Sequence, residues 1–198
     1  MKLINFNPDK PTPEEIENFY LKREEEINAR FDTNINPRYN LDYGLWTEEQ
    51  IVAEQKRMLN ELSVRSSFFL LAYIETLFRT DFTLRLETNN GKRYQDNITK
   101  AYKELYIPGK RPFQYPLDDV IFKTWKNNAT SKEMSDILNT LPQYFDFRNW
   151  MAHGRYFMIK EDNYLAKYNY QSVKMLLGKI NQVFGKKFKY KNFGLEGA

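Results

Sequence analysis

The chain reads as an all-α protein, and three observations carry that expectation. Apolar residues recur at helical spacing through most of its 198 residues. Capping and breaking residues punctuate that pattern at intervals suited to helices. No segment shows a convincing strand-type alternation. The expected architecture is a helical bundle.

The first helix opens with Thr12 as its cap, Pro13 in the first turn, and Glu14 and Glu15 at the positive end of the helix. Ile16, Phe19, Tyr20, Ile27 and Phe31 give it an apolar stripe to about residue 31. Residues 32–43 are rich in Asn, Asp and Pro and read as a loop. Thr47 caps the next helix, with Glu48, Glu49 and Gln50 behind it, and the pattern runs past Leu62 to Arg85. Phe68 to Ile74 is apolar on all sides, which places that stretch inside the fold. Asn89-Asn90-Gly91 marks a turn.

Shorter helices are expected at about 95–106, 116–127 and 131–139, with a stiff basic loop, Pro108-Gly109-Lys110-Arg111-Pro112, between the first two. Leu141-Pro142 is expected to begin a further helix ending near Gly154, a residue suited to a left-handed cap. Residues 156–159 fit a short strand or another turn. A last helix, about 169–184, carries Val173, Leu176, Leu177, Ile180 and Phe184 at helical spacing.

Composition narrows the chemistry. There are no cysteines and one histidine, so thiolate and histidine-based zinc sites are ruled out, and no acidic run has calcium-loop spacing. No cofactor is expected. The opening residues lack a secretory core, and the longest apolar run is too short to span a bilayer, so a cytoplasmic protein without membrane contact is expected. The net charge of +4 divides into −4 over residues 1–60 and +8 over the rest. The basic portion suits a polyanion, and equally suits ordinary solvated lysines.

That portion holds Phe147-Arg148-Asn149-Trp150-Met151-Ala152-His153-Gly154. Histidine is the side chain whose ordinary titration lies nearest neutrality, and arginine grips phosphate oxygens with a fixed fork of donors. The pair suggests acid–base chemistry beside a phosphodiester. On an ideal helix five residues separate the two side chains by about 140°. A plainer reading also exists. A histidine before a capping glycine can bind the free carbonyls of the helix end, and Arg148 can pair with Asp146 or Glu75.

Arg-Asn-x-x-x-His-Gly resembles the R-x4-6-H motif of the HEPN superfamily, small all-α domains. Many of these are metal-independent endoribonucleases of toxin–antitoxin, abortive-infection and CRISPR systems. The resemblance implies a HEPN-like bundle over residues 46–198 with an N-terminal helical arm over 1–45, the two being compatible with one compact unit. It implies RNA as substrate, a homodimer whose two motifs line one cleft, and a possible antitoxin or defence-system partner. His153 would exchange protons with the ribose 2′-OH or the leaving oxygen, Arg148 would hold the phosphate, and Asn149 would orient the histidine or the substrate.

Supporting roles fall to Glu75, which either orients the motif or pairs with Arg79, and to Arg155, which is either a second phosphate contact or a solvated side chain. Tyr156 is a packing or stacking neighbour. Toxins of the superfamily that accept AMP carry H-x-Y, whereas here the tyrosine is three residues after the histidine. Lys186, Lys187, Lys189 and Tyr190, with Phe188 among them, form a tail that either contacts RNA or packs its aromatics on the body. Two rivals to the nuclease are a HEPN module that only binds RNA, nucleotide or protein, and a helical adaptor in which the motif is a cap.

Overall fold

The computed structural model describes residues 11–87, 96–154 and 164–189. Eight α-helices occur among them, and no strand: α1 Pro13–Arg30, α2 Tyr39–Tyr43, α3 Glu48–Glu87, α4 Asn97–Glu104, α5 Lys123–Asn127, α6 Lys132–Ala152, α7 Tyr164–Lys167 and α8 Tyr170–Phe184. None of the described helices is long and apolar enough to cross a membrane.

The caps expected from sequence set the first two boundaries. The Thr12 hydroxyl accepts the Glu15 N–H, and the Glu15 carboxylate accepts the Thr12 N–H at 2.7 Å, which closes a capping box. Thr47 and Gln50 exchange the same pair of bonds at the start of α3. The intervening loop contains the short α2, which the Asn- and Pro-rich composition hid. It is held by Tyr43, which is buried and stacks on Phe31 at 5.1 Å.

The 40-residue α3 is the axis of the molecule, and α1 packs antiparallel on its first half. Asn28 near the end of α1 accepts from Gln55, whereas Tyr20 near its start stacks at 4.0 Å on Tyr170, whose N–H bonds Ser63. The arm therefore shares one core with the rest of the chain. Phe19, expected on its apolar stripe, is instead half exposed. In its second half α3 buries Leu70, Leu71, Ile74, Leu77, Phe78 and Phe82. Phe78 is the hub there, with ring centroids of Phe122, Phe184 and Phe188 at 5.0, 5.5 and 5.2 Å. Edge-to-face packing of this kind, extended by Trp125 at 6.3 Å, joins α3 to α5 and the turn before it, to α8 and to the residues after α8.

Other elements also differ from the sequence expectation. The helix expected over 116–127 begins as a wide π-helical turn, Leu117–Phe122, with Ile121 N–H reaching back to the Pro116 carbonyl at 3.4 Å. The turn leaves both Ile121 and Phe122 buried. The two helices expected around 131–139 and 141–154 are one, α6, with Pro142 inside it. Proline removes the N–H that would bond the Leu138 carbonyl. Burial of Leu138 and Leu141 on one side and Phe145 on the other keeps the helix continuous across that gap.

Candidate functional site

The geometry around the motif follows from the stripe of α6. Met134, Leu138, Leu141 and Phe145 recur at three- and four-residue steps, all buried, and the next step is Arg148. The arginine therefore points toward α3. An unpaired guanidinium there would be costly, and α3 presents Glu75 from its own stripe, between Leu71 and Phe78.

Arg148 Nη2 forms an ion pair with Glu75 Oε2 at 2.8 Å, and Arg79 Nε donates a hydrogen bond to Glu75 Oε1 at 2.6 Å. The alternatives left open by the sequence, Glu75 with Arg79 or with Arg148, are both realised on one carboxylate. Arg79 continues the chain of bonds to the Tyr115 carbonyl at 3.1 Å. The triad of two arginines and one glutamate carries a net positive charge. Arg148 also donates through Nη1 to Asn149 Oδ1 at 3.2 Å and lies over the Phe68 ring at 5.9 Å. Its Nε is buried with no hydrogen-bond partner among the described residues.

His153 leaves the helix differently. It is the C-cap of α6, exposed, and its backbone N–H bonds the Asn149 carbonyl at 3.0 Å. Gly154 follows at φ 76°, where a side chain would be strained, and its N–H bonds the Met151 carbonyl. Backbone groups thus do the capping, and the imidazole makes no hydrogen bond to a described residue. The end of α6 is seated by an aromatic cluster: Phe147 stacks on Tyr168 at 4.9 Å, and Trp150 meets Tyr164 at 5.2 Å.

Asp146, the other sequence candidate for Arg148, is exposed within α6 and is not the arginine's partner. It lies near Asp118, whose carboxyl is pushed up by burial and by the charges of Asp146 and Asp119. Among the described residues no group of three His, Asp or Glu is placed to hold a metal ion. Arg155 and Tyr156, with residues 157–159, lie outside the described residues, as does Tyr190.

The lysine-rich tail follows the packing alternative as far as it is described. Phe188 is buried in the Phe78 cluster. Lys187 Nζ bonds the Thr130 hydroxyl, Lys189 Nζ pairs with Asp96 at 2.7 Å, and Lys186 is exposed. Beneath them Arg85, fully buried, donates to Asp81 at 2.6 Å, to Asp96 at 2.7 Å and to the Lys187 carbonyl at 2.9 Å. Its guanidinium lies 5.1 Å from the Trp125 ring. Burial pushes the Asp81 carboxyl up to about 6 against the pull of Arg85 and the Lys189 N–H. Asp96, less buried, is held well below the usual carboxylate range by Lys189, the Thr99 N–H and Arg85.

Sequence reasoning missed this buried network and the Phe68 ring beneath Arg148. Phe68 was available in principle, being seven residues before Glu75 and so on the same α3 face. Searches against protein-family models, curated proteins and solved structures found no match to the chain.

Proposed function

We propose that the chain is a HEPN-type, metal-independent endoribonuclease acting through Arg148 and His153. The observation that carries the reading is the asymmetry of the motif. Arg148 is held from behind by Glu75 with donors to spare, while His153 stands exposed with its imidazole unengaged by the described residues. Of the five N–H donors of the guanidinium, Asn149 occupies one, and Glu75 pairs with Nη2 as a counterion.

In the proposed reaction His153 accepts the proton of a ribose 2′-OH, and the 2′-oxygen bonds to phosphorus. The bond to the 5′-oxygen then breaks, and the imidazolium returns a proton to that leaving oxygen. The products are a 2′,3′-cyclic phosphate and a 5′-hydroxyl. Arg148 bonds a non-bridging oxygen as its charge grows. Glu75 keeps Arg79 as a counterion when Arg148 turns to phosphate, so the hand-over leaves no bare carboxylate.

A homodimer would bring two copies of the motif together and divide the two proton transfers between two histidines. This suits a residue pair that one helix aims in different directions. A toxin or phage-defence setting, with an antitoxin or defence partner, belongs to the same reading.

A second reading, a module that binds RNA, nucleotide or protein without cutting, is favoured by the use of Arg148 as the partner of Glu75. Incubating labelled RNA and its 2′-deoxy counterpart with the protein separates the mechanisms. Cleavage of the RNA alone is expected, and cleavage of the 2′-deoxy strand would refute transesterification.

A further inference from the structure

The segment between α4 and the π-helical turn is well anchored yet leaves large apolar side chains in solvent. Tyr115 fixes it from below: the ring is buried against Phe82 at 5.0 Å, and the hydroxyl accepts the Ile107 N–H at 2.7 Å. The Lys110 N–H closes a turn onto the Ile107 carbonyl at 3.1 Å, with Gly109 at φ 85° supplying the left-handed step. Gln114 accepts the Arg111 N–H at 2.8 Å. On this frame Tyr106, Ile107 and Phe113 are 37%, 53% and 56% exposed.

The charge around them is one-sided. Lys110 lies 4.7 Å from the Tyr115 ring and Arg111 lies 6.0 Å from the Phe113 ring, while α4 adds exposed Lys100 and Lys103 against Glu104. A rigid loop that offers aromatic faces among cations has the chemistry of a single-strand nucleic-acid platform, with bases stacking and phosphates paired.

The loop is also wired to the motif. The Tyr115 carbonyl accepts from Arg79, Arg79 donates to Glu75, and Glu75 is the counterion of Arg148. The carboxylates of Asp118, Asp119 and Asp146 sit close enough to one another to raise Asp118, and phosphate is repelled from their side.

We infer that residues 105–114 form a platform for single-stranded RNA, with Phe113 stacking on a base and Arg111 pairing with a phosphate. The inference rests on the ribonuclease reading and names the surface that holds its substrate.

The test is fluorescence anisotropy with a labelled single-stranded RNA, comparing His153→Ala with the same protein carrying Phe113→Ala and Arg111→Gln. Both added substitutions are at exposed positions. Expected is a loss of at least about tenfold in affinity, with the salt slope shallower by about 0.7 for the one phosphate contact removed.

Unchanged affinity would overturn the platform and leave an RNA-cleaving wild type untouched. Loop-dependent binding without cleavage by the wild type would support the platform and sink the catalytic reading alone. Absence of binding in both proteins would overturn both. A shift of the RNA-free protein from dimer to monomer in the loop variant, with affinity unchanged, would overturn the platform and assign this face to a second copy of the chain.

Discussion

Replacing Glu75 by glutamine keeps the shape of the side chain and removes the charge that two arginines share. Glu75, Arg79 and Arg148 have side-chain exposures of 16%, 24% and 28%, so water screens each pair only in part. A hydrogen bond to a charged group contributes about 1.5–3 kcal/mol when protected, and an exposed pair about 0–1 kcal/mol. About 1.5 kcal/mol for each of the two bonds is a fair middle value. Glutamine also turns an N–H donor toward one of the arginines.

Glu75→Gln is therefore expected to lower unfolding free energy by about 3 kcal/mol. Arg148→Met is expected to cost only about 1–1.5 kcal/mol, because Arg79 keeps the carboxylate paired. The double variant should fall short of the sum by about 1–1.5 kcal/mol, which is the coupling between Glu75 and Arg148. Urea denaturation followed by circular dichroism reads all three. Additive losses, or a Glu75→Gln cost below about 0.5 kcal/mol, would refute the shared-carboxylate account.

Two further predictions concern the scaffold. Asp81 has a folded pKa of about 6, above the ordinary 3.8. The stability it contributes is full below that ordinary value and declines as pH rises through about 6. Between about pH 4.5 and 7 the urea midpoint of Asp81→Asn should fall less than that of the wild type, and parallel curves would contradict this. Asp96, with its pKa depressed, loses its contribution only as pH falls below the ordinary carboxylate range. Pro142→Ala restores an N–H to the Leu138 carbonyl within α6 and should stabilise by about 1 kcal/mol or more. Thermal denaturation should show a rise of about 2–4 °C per kcal/mol, whereas a fall would mean that the core requires the proline.

The helices that sequence located best are those whose ends carry their own hydrogen-bonding partners. Thr12 with Glu15 and Thr47 with Gln50 close locally, within one turn, so three or four residues of sequence contain the whole interaction. Asn169 likewise caps α8 through the Ser172 N–H. Pro142 misled because its local penalty is offset by burial against distant elements, which short-range reasoning does not see.

The same division runs through the site. The left-handed end of α6 at Gly154 was legible from residue chemistry, whereas the stripe through Leu138, Leu141 and Phe145 that aims Arg148 inward went unread, because the helix was expected to break at Pro142. That Glu75 serves both arginines was not legible, because Arg79 is four residues away and Arg148 is seventy-three. The Arg85–Asp81–Asp96 network was hidden for the same reason, since it is completed by the Lys187 carbonyl from the far end of the chain.

The central claim is that His153 moves protons in RNA cleavage that needs no metal. The direct measurement is incubation of labelled RNA with wild-type protein and with His153→Ala, EDTA present throughout, followed by analysis of the product ends. The account predicts 2′,3′-cyclic phosphate ends from the wild type and loss of cleavage in a variant that unfolds like the wild type, because the imidazole is exposed and unbonded among the described residues. Cleavage undiminished in His153→Ala would contradict it.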